Sequence, residues 1–503
     1  MWSRPERGFP CPQTDLRCAK DWLGVDNAGQ PLWDVKEMRI VQVLGALSVI
    51  LIGVGASGQA CAETIEQALI HAYQNNPQLN AQRASVRATD ETVPQALSGY
   101  RPRVNVTASV GSQYSNTLVK STTATGGTIY SRQEGHNTPH SVGATVSQTL
   151  YNGQQTANRT RAAESQVSAA REGLRVLEQT VLLSAATVYM DFLRDSAITE
   201  VQRSNLRVLG ETLKQTKDRF NVGEVTKTDV AQSEAQQAAG RTQLLTAESN
   251  LNTTRANYRR TIGTDPGQLR AGAPVDRFLP RTLGPALELG LTENPNVTAA
   301  MHGIDVAHLQ VKVNEGALFP TVTLQGSVTQ AYESTLNTLS SLNASVAAQM
   351  NMPIYQGGGE FALIRQSKET LAQQRLNLAQ VRDQVRATIT QAWGQLQAAK
   401  AQMESAQAQV TASETALNGV REEARVGQRT TLDVLNAQQA LVNARVTLVT
   451  AQHDRVVASY AVLSAIGRLA PQVLGLNVPV YDPSVHYHQV RDSWTGVRIP
   501  DGR

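Results

Sequence analysis

The chain contains one unit twice. The segment ALIHAYQNNPQL from Ala68 returns as ALELGLTENPNV from Ala286, with Asn76-Pro77 falling on Asn294-Pro295, an offset of 218 positions. The same offset carries Pro102, Val104, Val106, Val110 and Tyr114 onto Pro320, Val322, Leu324, Val328 and Tyr332. Further on the offset is 204: Tyr151 falls on Tyr355, Val222-Gly223 on Val426-Gly427, Asp229-Val230 on Asp433-Val434, and Ile262-Gly263 on Ile466-Gly467. The difference, 218 − 204 = 14, is one insertion in the first copy between Tyr114 and Tyr151, and Thr122-Thr123-Ala124-Thr125-Gly126-Gly127 within it has the composition of a loop. Nothing else shifts register. Any admissible fold must therefore build the same supersecondary unit twice.

Each unit reads as helix, strand, strand, helix, helix. Val104, Val106, Ala108 and Val110 alternate with Asn105, Thr107 and Ser109, and Val322, Leu324, Gly326 and Val328 with Thr323, Gln325, Ser327 and Thr329. A second strand places Val142, Ala144, Val146 and Leu150 on one face, matched by Val346, Ala348, Met350 and Ile354 in the other copy. Runs of about ten residues with one apolar and one small polar face fit transmembrane β-strands. They fit an ordinary half-buried sheet equally well.

The helices separate these readings. From Tyr151 to Val222, and from Tyr355 to Val426, there is no proline, and at 1.5 Å per residue each stretch spans roughly 105 Å. A compact domain has no use for that length. Apolar residues recur at helical spacing, as in Leu174, Leu177, Val181, Ala185, Val188 and Phe192. The stripes are rich in Ala and flanked by Gln, Ser, Thr and Asn, which suits close helix packing beside a water-filled lumen. A long soluble coiled-coil hairpin explains the helices but not the amphipathic strands. Val222-Gly223 and Val426-Gly427 mark sharp reversals, and Thr228-Asp229 and Thr431-Leu432-Asp433 offer acceptors at the start of returning helices of about 35 residues. The leading helix, near Ala68 to Leu97, is of similar length, so two short helices are expected to stack end to end along each long one.

Two units supply four strands, too few to enclose a lumen. An open edge in lipid costs several kcal/mol per unpaired backbone group, so the chain is expected to oligomerise, three copies giving 12 strands. The fold class expected from the pattern is mainly α with a small β part: long helical hairpins joined to transmembrane β-strands, four per chain and 12 in a trimer.

Composition narrows the function. The 503 residues carry 46 Lys+Arg against 42 Asp+Glu, a net charge of +4, with no basic block; nucleic acid is not an expected partner. Cys11, Cys18 and Cys61 are the only cysteines. Ile40–Val54 is apolar but short for a membrane helix; with Lys36 and Arg39 before it and Ala60-Cys61-Ala62 after it, it reads as an export signal. Lipid anchoring at Cys61 is the rival, weakened because Gly58 stands where an aliphatic residue is wanted. Gly53-Val54-Gly55-Ala56-Ser57-Gly58 spells a dinucleotide fingerprint, yet it sits inside that signal without the strand–helix context the motif needs. The expected organisation is an extension at 1–37 upstream of a start at Met38, a signal at 38–62, copies at 63–270 and 286–468, a linker at 271–285 and a tail at 469–503. The eight histidines form no catalytic or metal motif, and His486-Tyr487-His488 is a weak metal candidate. No enzyme activity or cofactor is expected.

RFNVGEVTKTDV (Arg219–Val230), ARVGQRTTLDVLNAQ (Ala424–Gln438), the two Asn-Pro openings and LYNG/IYQGG after the second strands resemble the TolC outer-membrane channel family over about residues 63–468. The resemblance implies a homotrimer in the outer membrane, its long helical hairpins forming an α-barrel continuous with the transmembrane β-barrel, with a long periplasmic portion and a constriction gated by inward-coiling helix pairs. It implies docking to an inner-membrane transporter through a periplasmic adaptor, for type I protein secretion or multidrug efflux. Thr228 and Asp229 match the family's latch partners on the first hairpin and Arg429 the basic partner on the second. Asp433 matches an acidic ring of the constriction. Asn436 stands where some members have a second acid and Ala424 where they have a tyrosine, which implies weaker cation selectivity and a weaker latch. The alternatives for Asp229 and Asp433 are plain helix caps, and for the whole chain an exported coiled-coil structural or adhesive protein.

Overall fold

A computed structural model describes residues 63–500; the signal, the extension before Met38 and the Cys61 question lie outside the described residues. The first copy opens with α1 (Ile65–Asn75), α2 (Pro77–Asp90) and α3 (Thr92–Leu97). The expected single leading helix is thus broken. Pro77 cannot donate a backbone hydrogen bond and fits the first position of a new helix, and Asn76 caps that helix by accepting from the backbone N–H groups of Gln78 (2.9 Å) and Leu79 (3.3 Å). The second copy does the same: α6 (Leu283–Glu293) ends at Asn294, which caps α7 (Pro295–Gly316).

The strands are β1 (Arg103–Val110), β2 (Gln113–Thr122), β3 (Thr128–Asn137), β4 (His140–Asn152), β5 (Thr321–Thr335) and β6 (Thr338–Asn351). β1, β4, β5 and β6 form one antiparallel sheet in that order. The register separates two faces. Val104, Val146, Gly326 and Val346 align across all four strands, as do Val106, Ala144, Val328 and Ala344. The opposite face aligns Asn105, Thr145, Ser327 and Ser345. The polar face is knit by side-chain hydrogen bonds, Ser109–Ser141 and Ser327–Ser345 both at 2.9 Å. The apolar face is uncovered, Val106 being 72% and Val346 80% exposed.

Three readings from pattern need correction. The 14-residue insertion is not a loop: β2 and β3 pair as a hairpin over Gln113↔Asn137 to Thr122↔Thr128. Thr, Tyr, Leu, Val and Ile there favour strand, and only Thr123–Gly127 turns, with Gly126 at φ +81°. A bulge between Thr149 and Tyr151 takes Leu150 out of the ladder and sets Tyr151 opposite Val322. Ile354 lies beyond the end of β6.

The long helices are α4 (Gln155–Asn221) and α8 (Gly359–Arg425), each of 67 residues; the returning ones are α5 (Lys227–Ile262) and α9 (Thr431–Ile466), each of 36. α7 and α9 both pack between α4 and α8, while α1–α3 and α5 share the other flank of α4, so short helices line each side of α4 as their lengths imply. The ends of the returning helices are fixed by Gly263 (φ +92°) and Gly467 (φ +96°). A Cβ at Gly467 would fall 2.6 Å from the Asn294 Cα, so only glycine fits.

The core sits where the copies meet. Leu69, Tyr73, Leu182, Tyr189, Tyr258, Leu463 and Leu469 are essentially enclosed together, and Ala286, Ile389, Leu396, Val462 and Ile466 form a neighbouring cluster. Each fully buried Leu or Ile contributes about 1.5–3 kcal/mol. The tail closes over the first cluster through α10 (Pro471–Leu474) and Val478, while α11 (Ser484–Val490) packs Tyr487 against Val93, Ala163 and Val167. His486 Nδ1 lies 3.1 Å from Asp90 Oδ2, both buried. Its ring is engaged with a carboxylate in the packing of the tail, and no group of metal-ligating side chains occurs among the described residues.

Candidate functional site at the hairpin tips

The reversals after α4 and α8 are two copies of one device. Gly223 (φ +83°) and Gly427 (φ +81°) take the left-handed conformation. Glu224 N–H donates to Arg219 O at 2.9 Å and Gln428 N–H to Glu423 O at 3.0 Å. Salt bridges close both turns with the charges exchanged: Arg219 Nε donates to Glu224 at 3.0 Å, and Arg429 Nε to Glu423 at 2.9 Å.

The returning helices begin in capping boxes. Thr226 Oγ1 accepts from Asp229 N–H at 3.3 Å, and the Asp229 carboxylate accepts from Thr226 N–H and Oγ1–H at 2.9 and 2.7 Å. Thr430 and Asp433 repeat the motif at 3.3, 3.0 and 2.9 Å. The bonds from the Thr226 hydroxyl and then its N–H hold the Asp229 carboxyl below the usual range. For Asp433 the Thr430 N–H is the larger cause and the hydroxyl the second. Both carboxylates are therefore ionised throughout the neutral range.

The capping threonines are Thr226 and Thr430, not Thr228 or Thr431. The signal was present as T-x-x-D, the capping-box spacing. Thr228 is exposed in the first turn of α5. Asn436 is exposed on α9, three residues after the half-buried Asp433. Within the chain Arg429 pairs with Glu423 and Asp229 with Thr226; the structure does not bring Arg429 to Asp229. The two hairpins are joined elsewhere, one turn past Asn436. Gln236 Nε2 donates to Gln439 Oε1 at 3.2 Å, linking α5 to α9. Arg421 donates to Gln438 Oε1 at 3.0 Å, and Gln438 Nε2 to the buried Asn205 Oδ1 at 3.4 Å, linking α8, α9 and α4. These glutamines were missed because polar side chains on an exposed helix carry no signal of their own.

A small antiparallel sheet with an apolar outer and a hydroxyl-lined inner face, continued by helices too long for a compact domain, is the wall of an outer-membrane channel with a periplasmic tunnel. Comparison with known proteins agrees. The model of the outer membrane efflux protein family matches residues 68–264 and 286–468. The outer membrane efflux protein BepC of Brucella suis biovar 1 is 41% identical over 92% of this chain and 98% of its own length. The alkaline protease secretion protein AprF of Pseudomonas aeruginosa is 25% identical over 59% of this chain and 63% of its own. Among solved structures, the Campylobacter jejuni CmeC outer membrane channel shares the fold with a TM-score of 0.69 at 16% identity, over 85% of this chain and 89% of that one. The chain belongs to the outer membrane efflux protein family, whose members are channel proteins. It is an outer-membrane export channel with a long periplasmic portion.

Proposed function

We propose that three copies close into a 12-stranded barrel and a continuous helical tunnel, forming the passive exit duct of a tripartite export system. The observation that carries this is the sheet: β1 and β6 each have one hydrogen-bonded neighbour, under an apolar face, and lipid leaves such edges no partner but another copy. The same argument applies to α8, which keeps Phe361 and Leu376 exposed on one flank. Cysteine pairs that place one residue on β1 and one on β6 test the closure. Oxidation yields a ladder ending at three chains, whereas exclusively intrachain or no cross-linking contradicts it.

The hairpin tips are the periplasmic gate in this reading. Three Asp433 carboxylates around an axis attract cations, with Asn436 the next position up the lumen. Thr228, Asp229 and Arg429 form a latch between copies: Arg429 leaves Glu423, already a half-exposed pair, for Asp229 of a neighbouring hairpin. Support for a periplasmic adaptor and an inner-membrane transporter as partners comes from the relatives, named for efflux and for protease secretion. The duct carries out no catalysis and needs no cofactor. The organisation proposed is a signal ending at residue 62, two wall units at 63–270 and 286–468 joined by the linker at 271–285, and a tail from 469; the two segments matched by the family model support the unit boundaries.

A further inference from the structure

The linker between the copies runs as a strap across three helices. Tyr189 on α4 donates to Arg270 O at 2.7 Å, Val275 N–H donates to Ser459 on α9 at 3.1 Å, and Asp276 meets Arg455 of α9 and, at 3.6 Å, Lys400 of α8. Beside this strap lies a cleft of about 540 Å³, walled by α4, α8, α9 and residues 271–274. All its walls belong to one chain, so the cleft is formed without a neighbouring copy. Its volume is that of sites for drug-sized molecules.

The lining is mostly apolar and deformable, with Met190, Leu193, Met403 and Val449. Thioether side chains adjust to irregular occupants. The charged groups around the rim balance in sum, three cations against three carboxylates: Arg194 holds Asp191 and Asp195 at 2.9 and 2.8 Å, and Asp276 is shared by Arg455 and Lys400. No unpaired charge is left to select an ionic ligand. His453 lines the cleft, is 7% exposed and sits between two carboxylates, its Nδ1 bound to Asp454 at 2.8 Å and its Nε2 3.0 Å from an Asp191 oxygen. Its charge is matched like the others, which leaves the cleft to occupants without charge.

We propose that this cleft binds an uncharged, largely apolar small molecule through the Met190–Met403 walls. An occupant touches α4, α8, α9 and the strap at once, and so ties the long helices of one chain together. The site stands apart from the gate.

The test uses the full oligomer in amphipol, titrated with Nile red, an uncharged dye with a ring carbonyl acceptor whose emission rises and shifts blue in apolar surroundings. Saturable binding at one site per chain is expected above the amphipol background. Met403→Trp and Val449→Phe, which fill the cleft from different helices, each weaken it at least tenfold while the oligomer's elution volume is unchanged. Gln384→Trp, in a separate cleft nearer Asn294, leaves it unaltered. Absence of a saturable component, wild-type affinity in both filled variants, or loss of binding in Gln384→Trp overturns the proposal. None of these readings depends on whether the assembly conducts.

Discussion

Asn76 and Asn294, at equivalent positions of the two copies, make the same pair of connections. Each side-chain oxygen caps the helix that follows, and each Nδ2 donates to a carbonyl near the end of the returning helix, Asn76 to Thr261 O at 3.1 Å and Asn294 to Ala465 O at 2.9 Å. One side chain thereby ties the start of a unit to its last helix. Replacing Asn294 by Ala is expected to cost about 1 kcal/mol for the cap and further stability for the orphaned carbonyl. Asn294→Ser keeps a capping oxygen and loses the clasp. Thermal unfolding should rank the midpoints wild type, Asn294→Ser, Asn294→Ala; an unchanged Asn294→Ala midpoint would show the clasp to be energetically idle.

The two faces of the sheet predict opposite responses to charge. Ala344 lies on the apolar row with Val106 and Val328, and Asn343 on the polar row with Thr107 and Thr329. Arg at position 344 should cost about 2–4 kcal/mol if it faces mid-bilayer lipid, whereas Arg at 343 should be tolerated. Folding yield into phosphatidylcholine vesicles measures the difference, and equal yields would refute the assignment of faces.

Asp433 has two roles to separate, as cap and as lumen charge. Asp433→Ala removes both, while Thr430→Ala removes the hydroxyl of the capping box and leaves the carboxylate. Divalent-cation block of the channel should fall in Asp433→Ala and persist in Thr430→Ala. Because the Asp433 pKa lies below the ordinary carboxylate value, block in the wild type should persist to pH 5 and fade only below about pH 4. If Thr430→Ala loses block equally, Asp433 acts as a cap alone. Arg429→Ala should raise conductance if the latch forms between copies.

His453 bears on stability. Burial lowers its pKa, but the Asp191 and Asp454 carboxylates outweigh that and the net shift is upward. A raised folded-state pKa gives stabilisation that is complete below the unfolded value near 6.5 and is lost as pH rises through the folded value. The unfolding midpoint of the wild type should therefore decline relative to His453→Gln as the pH is raised above about 6.5. Parallel profiles would remove the histidine from the account.

Much of this architecture was legible because repetition checks each reading against its copy. The proline-free stretches and the Val-Gly reversals foretell helices of 67 and 36 residues in both halves. The insertion was misread because Thr-Thr-Ala-Thr-Gly-Gly marks the turn of a hairpin, and its composition hides the strand propensity on either side. The break at Asn-Pro was visible in principle, since proline opens helices as readily as it ends them. The partners of Arg429 and the Gln236–Gln439 link were not, because which surfaces of long polar helices meet depends on packing between elements far apart in sequence.

The claim on which the rest depends is that the repeated unit is wall rather than rod. Single-channel recording of the purified, detergent-extracted oligomer in planar bilayers addresses it directly. The account predicts uniform, discrete, cation-preferring openings from the species containing three chains. A homogeneous, folded preparation that leaves the bilayer silent at every applied voltage would contradict it.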